Sequence, residues 1–201
     1  MSRNILYAYG MGQNPNILKI FREQLELRGF NVNILECEYD NGTFNPENLK
    51  NINNSNSKWW VGISLGASLL YYMINYVPVE NKPNRITIIN PFSSRETLSI
   101  ERNFDISNQW NFSPKNNLCT INTIDLVSSI YDDKIPMYHG IELLNGTNAN
   151  DKNLIYVNAN HTIDDISAQM ELANILVNIN ERNIGFEKYN YCNIYKQHGN
   201  F

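Results

Sequence analysis

Short apolar strands alternate with amphipathic helices along most of this sequence, and that alternation constrains the fold more than any other feature. Strands are predicted at residues 5–9, 32–38, 58–63, 84–90, 124–130 and 153–159. The β-branched residues of "NRITIIN" (84–90) are continuous rather than alternating, as expected for a strand that is covered on both faces. The sequence therefore predicts an α/β fold: a three-layer α/β/α sandwich around a mostly parallel sheet of about six strands.

Two segments fall outside this alternation. Residues 92–118 lose the periodicity and carry Phe92, Trp110 and Phe112 without helical spacing, while residues 186–201 mix five aromatic residues with polar ones. At 201 residues the chain is long enough for one continuous core. We therefore expect a single domain over residues 1–201, with a cap-like insertion near 92–118 and an aromatic C-terminal tail near 186–201.

Charge and composition exclude several classes of protein. The net charge is −4 and no run of Lys or Arg could neutralise nucleic-acid phosphates. No apolar stretch approaches the length of a membrane span, and "MSRNILYAYG" has no signal-peptide core. The three widely spaced cysteines (Cys37, Cys119, Cys192) form no CxxC pair, which fits a reducing compartment and argues against structural zinc. We expect a cytoplasmic protein without a nucleic-acid partner, a membrane span or a metal ion.

One serine lies between two glycines where a strand is predicted to end and a helix to begin. Gly62-Ile63-Ser64-Leu65-Gly66 matches G-x-S-x-G in the strand–turn–helix context that this motif requires. In so sharp a turn, side chains two residues before and two residues after the serine would clash, so glycine is favoured at both positions. The motif predicts an exposed, strained serine hydroxyl with the N–H of Leu65 directed to the same point; the alternative is an ordinary strand-to-helix turn.

A serine hydroxyl becomes a good nucleophile only when a base takes its proton, and histidine is the usual base. The sequence offers three histidines. His198 lies in the tail and His139 in a predicted helix, where a surface or partly buried histidine is the simpler interpretation. His161 follows the last predicted strand and precedes the last predicted helix. Because that is where parallel sheets carry their active groups, His161 is the candidate base.

A carboxylate should orient the imidazole of that base. Asp132 and Asp133 directly follow the strand predicted at 124–130, in "VSSIYDDKIP". Either aspartate gives the chain order Ser64, Asp, His161, which is the order Ser…Asp…His of one class of hydrolases. The spacing alone leaves the choice between the two aspartates open.

Together these residues resemble the α/β-hydrolase superfamily, from "ILYAYGMG" to the helix after His161. Its acid commonly stands in an Asp-x-x-(Val/Ile)-Pro pattern, and "DDKIP" fits that pattern with Asp132 as the acid. The small size, the brief insertion at 92–118 and "INPF" before a Trp-containing segment are similar to the compact, nearly lidless branch. That branch includes the retinoblastoma-binding type of small serine hydrolase.

The resemblance also implies an oxyanion hole. The family has a His-Gly turn after its first central strand, and here the corresponding pair is Tyr9-Gly10, followed by Met11. Because only a backbone N–H is needed, the change to Tyr leaves the role intact. The resemblance implies that the N–H groups of Met11 and Leu65 bind the developing oxyanion.

The implied function is a serine hydrolase of the carboxylesterase or thioesterase kind, which needs no cofactor. It would cleave an ester or thioester of a small to medium acyl group through Ser64, His161 and Asp132 and an acyl-enzyme intermediate. Phe92, Trp110 and Phe112 either line an acyl pocket or form the core of a short cap.

Two alternatives belong to other classes. The first is a non-catalytic binding protein that keeps this fold, with the aromatic tail and Trp59-Trp60 as its contact residues, although the strand position favours core packing for that Trp pair. The second is a flavodoxin-like module. Against it, "YGMGQN" lacks the G-x-G-x-x-G spacing and the lysine of a phosphate-binding loop.

Overall fold

The computed structural model of this chain describes residues 3–10, 16–35, 50–52, 55–94 and 121–182. Its six strands are β1 (Asn4–Ala8), β2 (Asn31–Leu35), β3 (Trp59–Ile63), β4 (Arg85–Ile89), β5 (Thr123–Ser129) and β6 (Asp151–Val157). They form one sheet in the order β2-β1-β3-β4-β5-β6, and every neighbouring pair is parallel. The predicted sheet is thereby confirmed, and within the described residues it is parallel throughout.

Helices cover the two faces of the sheet. Those whose bounds fall within the described residues are α1 (Lys19–Leu27), α2 (Leu65–Met73), α3 (Tyr138–Gly146) and α4 (Ile166–Arg182), with a 3₁₀ turn at Val79–Asn81; residues 50–52 are also helical. Buried side chains of α1 and α4 share one core cluster with one face of the strands, whereas those of α2 and α3 share a second cluster with the other face. This is the predicted three-layer α/β/α sandwich.

The pleat of each strand explains why both clusters are apolar. In β1, Leu6 and Ala8 belong to the cluster beneath α2 and α3, while Ile5 and Tyr7 belong to the cluster beneath α1 and α4. Because successive side chains point to opposite faces, a strand covered on both sides is expected to be apolar at most positions. Burying each large aliphatic side chain contributes roughly 1.5–3 kcal/mol relative to leaving it exposed.

Both tryptophans of β3 lie in the core, Trp59 at 5% exposure and Trp60 at 0%. This agrees with the core packing favoured for the pair, and it removes them as contact residues for a binding partner. Residues 95–120, which include nearly all of the insertion predicted near 92–118, lie outside the described residues, and so does the aromatic tail.

A polar network is embedded in the face that α4 covers. The Asp125 carboxylate is completely buried; it accepts hydrogen bonds from Arg85 Nε at 2.6 Å, Thr87 Oγ1 at 2.7 Å and Asn153 Nδ2 at 2.9 Å. The Arg85 guanidinium also stacks over the Trp59 ring at 4.2 Å. A buried charge is tolerated only when it is paired and hydrogen-bonded. The network meets that need for the Asp125 carboxylate, whereas Nη2 of Arg85 is buried without a hydrogen-bond partner among the described residues.

All strands being parallel, their carboxyl ends lie along a single edge of the sheet. Ser64 follows β3, Asn90 follows β4, Asp132 lies three residues beyond β5, and His161 lies four residues beyond β6. The topology therefore brings residues that are far apart in sequence to one edge.

Candidate active site

Ser64 occupies the turn between β3 and α2 in a backbone conformation that is rare for an L-residue. Its φ is 55° and its ψ is −126°, and its N–H donates to the carbonyl of Ile89 at 2.8 Å, at the end of β4. A positive φ in a residue with a Cβ is sterically strained, at a cost of about 1–3 kcal/mol. The structure thus holds this serine in a strained turn rather than in an ordinary helix start.

The two flanking glycines are required by close backbone approaches. A Cβ on Gly62 would lie 2.6 Å from Cα of Ala67, in the first turn of α2. A Cβ on Gly66 would lie 2.6 Å from the carbonyl oxygens of both Ala8 and Tyr9, at the end of β1. The two glycines therefore let α2 begin directly against both its own strand and the neighbouring one.

His161 contacts both of its expected partners. Its Nε2 lies 2.9 Å from Ser64 Oγ, and its Nδ1 lies 2.7 Å from Asp132 Oδ2. Because Nδ1 faces a carboxylate, the proton belongs on Nδ1, and Nε2 is left to accept the hydrogen bond from the serine hydroxyl. The His161 residue is 4% exposed, whereas Ser64 is half-buried. His161 thus links Ser64 to Asp132 through one ring nitrogen to each.

Of the two candidate acids, Asp132 is the one in contact with His161. Its other oxygen, Oδ1, accepts the backbone N–H groups of Lys134 at 2.8 Å and Ile135 at 2.9 Å, so the tight turn after β5 fixes the carboxylate. Its side chain is 4% exposed, while Asp133 is exposed. The Asp-x-x-Ile-Pro pattern thus has a physical basis, since its intervening residues supply the N–H donors that aim the first aspartate.

Leu65 is the first residue of α2, so its N–H has no acceptor within the helix. That N–H stands beside Ser64 at the positive end of the helix dipole, which is the position expected of an oxyanion donor. Met11, the other expected donor, lies outside the described residues. The described part of its loop, Tyr9 and Gly10, continues β1 at the point where the Tyr9 carbonyl approaches Gly66.

Phe92, one of the three candidate residues for an acyl pocket, is 2% exposed and packs in the core cluster beneath α2 and α3. Its backbone brackets Ser68 of α2: Phe92 N–H donates to Ser68 Oγ and Ser68 Oγ–H donates to the Phe92 carbonyl, each at 3.0 Å. This burial favours core packing for Phe92. Trp110 and Phe112 lie outside the described residues.

The expectation that His139 is a surface or partly buried histidine is wrong. Its side chain is completely buried, its Nδ1 accepts the Ser93 N–H at 3.2 Å, and its ring stacks on that of Tyr138 at 4.5 Å. Ser93 Oγ–H in turn donates to Glu142 Oε2 at 2.5 Å. The segment after β4 covers this side of α3, a long-range contact that helical periodicity does not reveal.

Asn90 is a residue of the site that sequence reasoning missed. Its side-chain amide donates to the carbonyl oxygen of His161 at 2.7 Å and is 4% exposed. The available signal was an asparagine directly after an apolar strand, in "INPF", because asparagine tolerates the left-handed conformation that ends many strands.

In the described ranges, no three His, Cys, Asp or Glu side chains are grouped closely enough to hold a metal ion. Nor does any helix in the described part of the chain have the length and apolar character needed to cross a bilayer.

No protein-family model and no curated protein matches this sequence. Solved structures do match it. A sugar hydrolase, YeeB, from Lactococcus lactis is similar with a TM-score of 0.68 and 13% identity, covering 92% of this chain and 90% of that one. The esterase domain of a Rhodothermus marinus protein gives a TM-score of 0.67 at 13% identity, over 89% and 86% of the two chains.

Alpha/beta hydrolase domain-containing protein 10 from mouse is similar with a TM-score of 0.65 and 12% identity, over 91% of each chain. At such low identities the likeness concerns the path of the backbone and not the chemistry. Together with the six-stranded parallel sheet and the helices on both of its faces, these matches show that the chain has the α/β-hydrolase fold.

Proposed function

We propose that this protein is a serine hydrolase that cleaves an ester or thioester through an acyl-enzyme intermediate. The observation that carries the proposal is the continuous chain of hydrogen bonds from Ser64 Oγ to His161 Nε2, at 2.9 Å, and from His161 Nδ1 to Asp132 Oδ2, at 2.7 Å. A nucleophile, a base and an orienting carboxylate within hydrogen-bond reach are the arrangement that acyl transfer requires.

In the proposed reaction, His161 Nε2 takes the hydroxyl proton as Ser64 Oγ attacks the acyl carbonyl. The oxygen of the tetrahedral intermediate is held by the N–H groups of Leu65 and Met11; removing one such donor typically costs roughly 3 kcal/mol of transition-state stabilisation. His161 then protonates the departing alcohol or thiol, and Asp132 stabilises the imidazolium. Water, deprotonated by His161, attacks the acyl-enzyme and releases the acid and free Ser64.

The substrate class is part of the proposal. The similar structures include an esterase domain and a monoacylglycerol lipase, which fits a carboxylesterase or thioesterase acting on a small to medium acyl group. The resemblance to the compact branch of small serine hydrolases points the same way. The widely spaced cysteines are consistent with a cytoplasmic location.

A fluorophosphonate probe tests the proposal directly, because it phosphonylates only an activated serine. We expect covalent labelling of the wild type and none of Ser64→Ala or His161→Ala. Asp132→Asn and Asp133→Asn form a matched pair of adjacent substitutions with the same change of charge. The first should lower kcat by about 10⁴-fold, as loss of the orienting carboxylate does in other triads, whereas the second should remain close to wild type.

A folded, monodisperse wild type that is never labelled would contradict the proposal. It would favour a binding protein that keeps the α/β-hydrolase fold. Equal losses of kcat in the two aspartate variants would contradict only the assignment of Asp132 as the acid and not the proposed activity. Labelled protein should then be screened with oxygen esters and thioesters of matched acyl length, since the triad chemistry accepts both leaving groups.

A further inference from the structure

Asn90 directly follows β4, with φ 47° and 4% of its surface exposed. Its Oδ1 accepts the backbone N–H of Ser129 at 2.8 Å. Its Nδ2 donates one hydrogen to Ser129 Oγ at 2.8 Å and the other to the carbonyl oxygen of His161 at 2.7 Å. One buried amide thus uses its acceptor and both of its donors on two neighbouring segments.

The orientation of this amide is fixed by its backbone partners. The Ser129 N–H can only donate and the His161 carbonyl can only accept. A flipped amide would place its NH₂ against the N–H and its oxygen against the carbonyl, which loses both contacts in a buried site. The amide therefore distinguishes the two neighbours, and an ionised carboxylate, which has no donor, could not serve both.

These contacts connect Asn90 to the segments that carry all three proposed triad residues. The preceding carbonyl, that of Ile89, accepts the N–H of Ser64 at 2.8 Å. Ser129, which Asn90 binds twice, accepts the N–H of Asp132 through its own carbonyl at 3.3 Å. Asn90 is connected to His161 directly, through the hydrogen bond from its Nδ2 to the His161 carbonyl oxygen.

We propose that Asn90 is a positioning residue for the triad: its amide fixes the backbone of His161 relative to the end of β5 and thereby sets the distances from the imidazole to its two partners. This inference rests on the proposed hydrolase function. His161 lies in a loop between β6 and α4, so its ring depends on contacts with neighbouring segments for its position. An error of about 1 Å in that position lowers turnover by about 10²-fold.

Asn90→Asp isolates the proposed interaction. Aspartate has nearly the same shape and tolerates the same left-handed backbone, and one of its oxygens can still accept the Ser129 N–H. It replaces Nδ2, which donates to both the His161 carbonyl and Ser129 Oγ, by an oxygen that can only accept. The Ser129 hydroxyl can donate to that oxygen, whereas the His161 carbonyl cannot, so the bond to His161 is the one that is lost. Asn90→Ala removes the whole amide and serves as a second variant should the aspartate prevent folding.

Turnover of p-nitrophenyl acetate by the full chain, well below the melting temperature, measures the effect. We expect Asn90→Asp and Asn90→Ala to lower kcat by about 10²-fold with KM close to wild type. Ser129→Ala removes only the hydroxyl partner and leaves the bond to His161, so its loss should be less than about tenfold. Hydrogen exchange of residues 158–164 should be faster in both Asn90 variants.

Asn153→Asp is the control for simple destabilisation. This residue also donates its amide to a buried group, Asp125 Oδ1 at 2.9 Å, but it lies in the network within the sheet. It should lower the melting temperature and leave kcat unchanged. A folded Asn90→Asp variant with wild-type kcat would overturn the inference, and so would an equal fall in kcat for Asn153→Asp at matched stability.

The exchange measurement separates this inference from the proposed function. If the wild type is neither labelled nor active, the proposed function fails, and exchange at residues 158–164 decides the inference alone. Faster exchange in Asn90→Ala than in Asn153→Asp would support the role of Asn90 in holding the His161 loop. Equal exchange would overturn it. An active wild type with unaffected Asn90 variants would leave the function standing and refute the positioning role.

Discussion

Gly66→Ala is the substitution whose consequence follows most directly from the geometry. The new Cβ would lie 2.6 Å from the carbonyl oxygens of Ala8 and Tyr9, where ordinary contact begins at 3.4 Å. The difference is 0.8 Å, and both obstacles are backbone atoms, of the last residue of β1 and of the residue after it, that cannot rotate away. The start of α2 must therefore shift relative to β1, and Leu65 and Ser64 must move with it.

Two losses of different size are expected. Overpacking at a rigid contact costs about 1–3 kcal/mol of the free energy of unfolding. A displacement approaching 1 Å at the nucleophile lowers the rate of acylation by about 10²-fold. Urea unfolding followed by circular dichroism measures the first quantity, and the second-order rate constant of fluorophosphonate labelling measures the second.

Gly146→Ala is the matched control, because a Cβ at Gly146, the last residue of α3, meets nothing within 4 Å. It should leave labelling unchanged and alter the free energy of unfolding by less than about 1 kcal/mol, in the stabilising direction. Wild-type labelling and stability in Gly66→Ala would contradict this prediction, since they would mean that α2 is not in contact with the end of β1 at this point.

Two further predictions concern stability. Asp125→Ala leaves the Arg85 guanidinium buried without its carboxylate, so the free energy of unfolding measured in urea should fall by about 3–5 kcal/mol; a loss below about 1 kcal/mol would contradict the pairing. At the start of α4, the hydrogen bond from Ser167 lowers the pKa of Asp165 below its ordinary value of 3.8. The stability that the ionised Asp165 carboxylate contributes is therefore present above pH 3.8 and is lost as the pH falls through the lowered pKa of the folded protein. Asp165→Asn should flatten the fall of the urea midpoint below pH 3.8, and an unchanged fall would be evidence against the hydrogen bond from Ser167.

Local patterns in the sequence were sufficient for the architecture. The apolar runs of the strands and the spacing of apolar residues in the helices indicate which faces of each element are buried. These patterns can be recognised within a few residues of chain. The six strands were predicted close to their observed bounds for this reason. The turn around Ser64 was local in part: the clash that demands Gly62 arises within five residues of chain, whereas the clash that demands Gly66 is with the distant backbone of Ala8 and Tyr9.

Contacts between distant segments were not predictable in the same way. Spacing alone allowed either aspartate, and only the resemblance in "DDKIP" favoured Asp132; the hydrogen bond between Asp132 and His161, which are 29 residues apart, is seen only in the structure. His139 looked like an ordinary helical residue because nothing near it in sequence indicates that the segment at Ser93 covers it.

Local patterns were thus enough to predict the α/β sandwich and the edge of its sheet at which a serine, an aspartate and a histidine would meet. Only the tertiary structure decided how closely they meet: 2.9 Å between Ser64 and His161, which are 97 residues apart, and a buried amide at Asn90 that links β5 to the His161 loop. The physical reason is the range of each interaction. Periodicity and turn sterics act within a few residues, whereas a hydrogen bond forms only after the packing of the whole sheet has brought its two partners together.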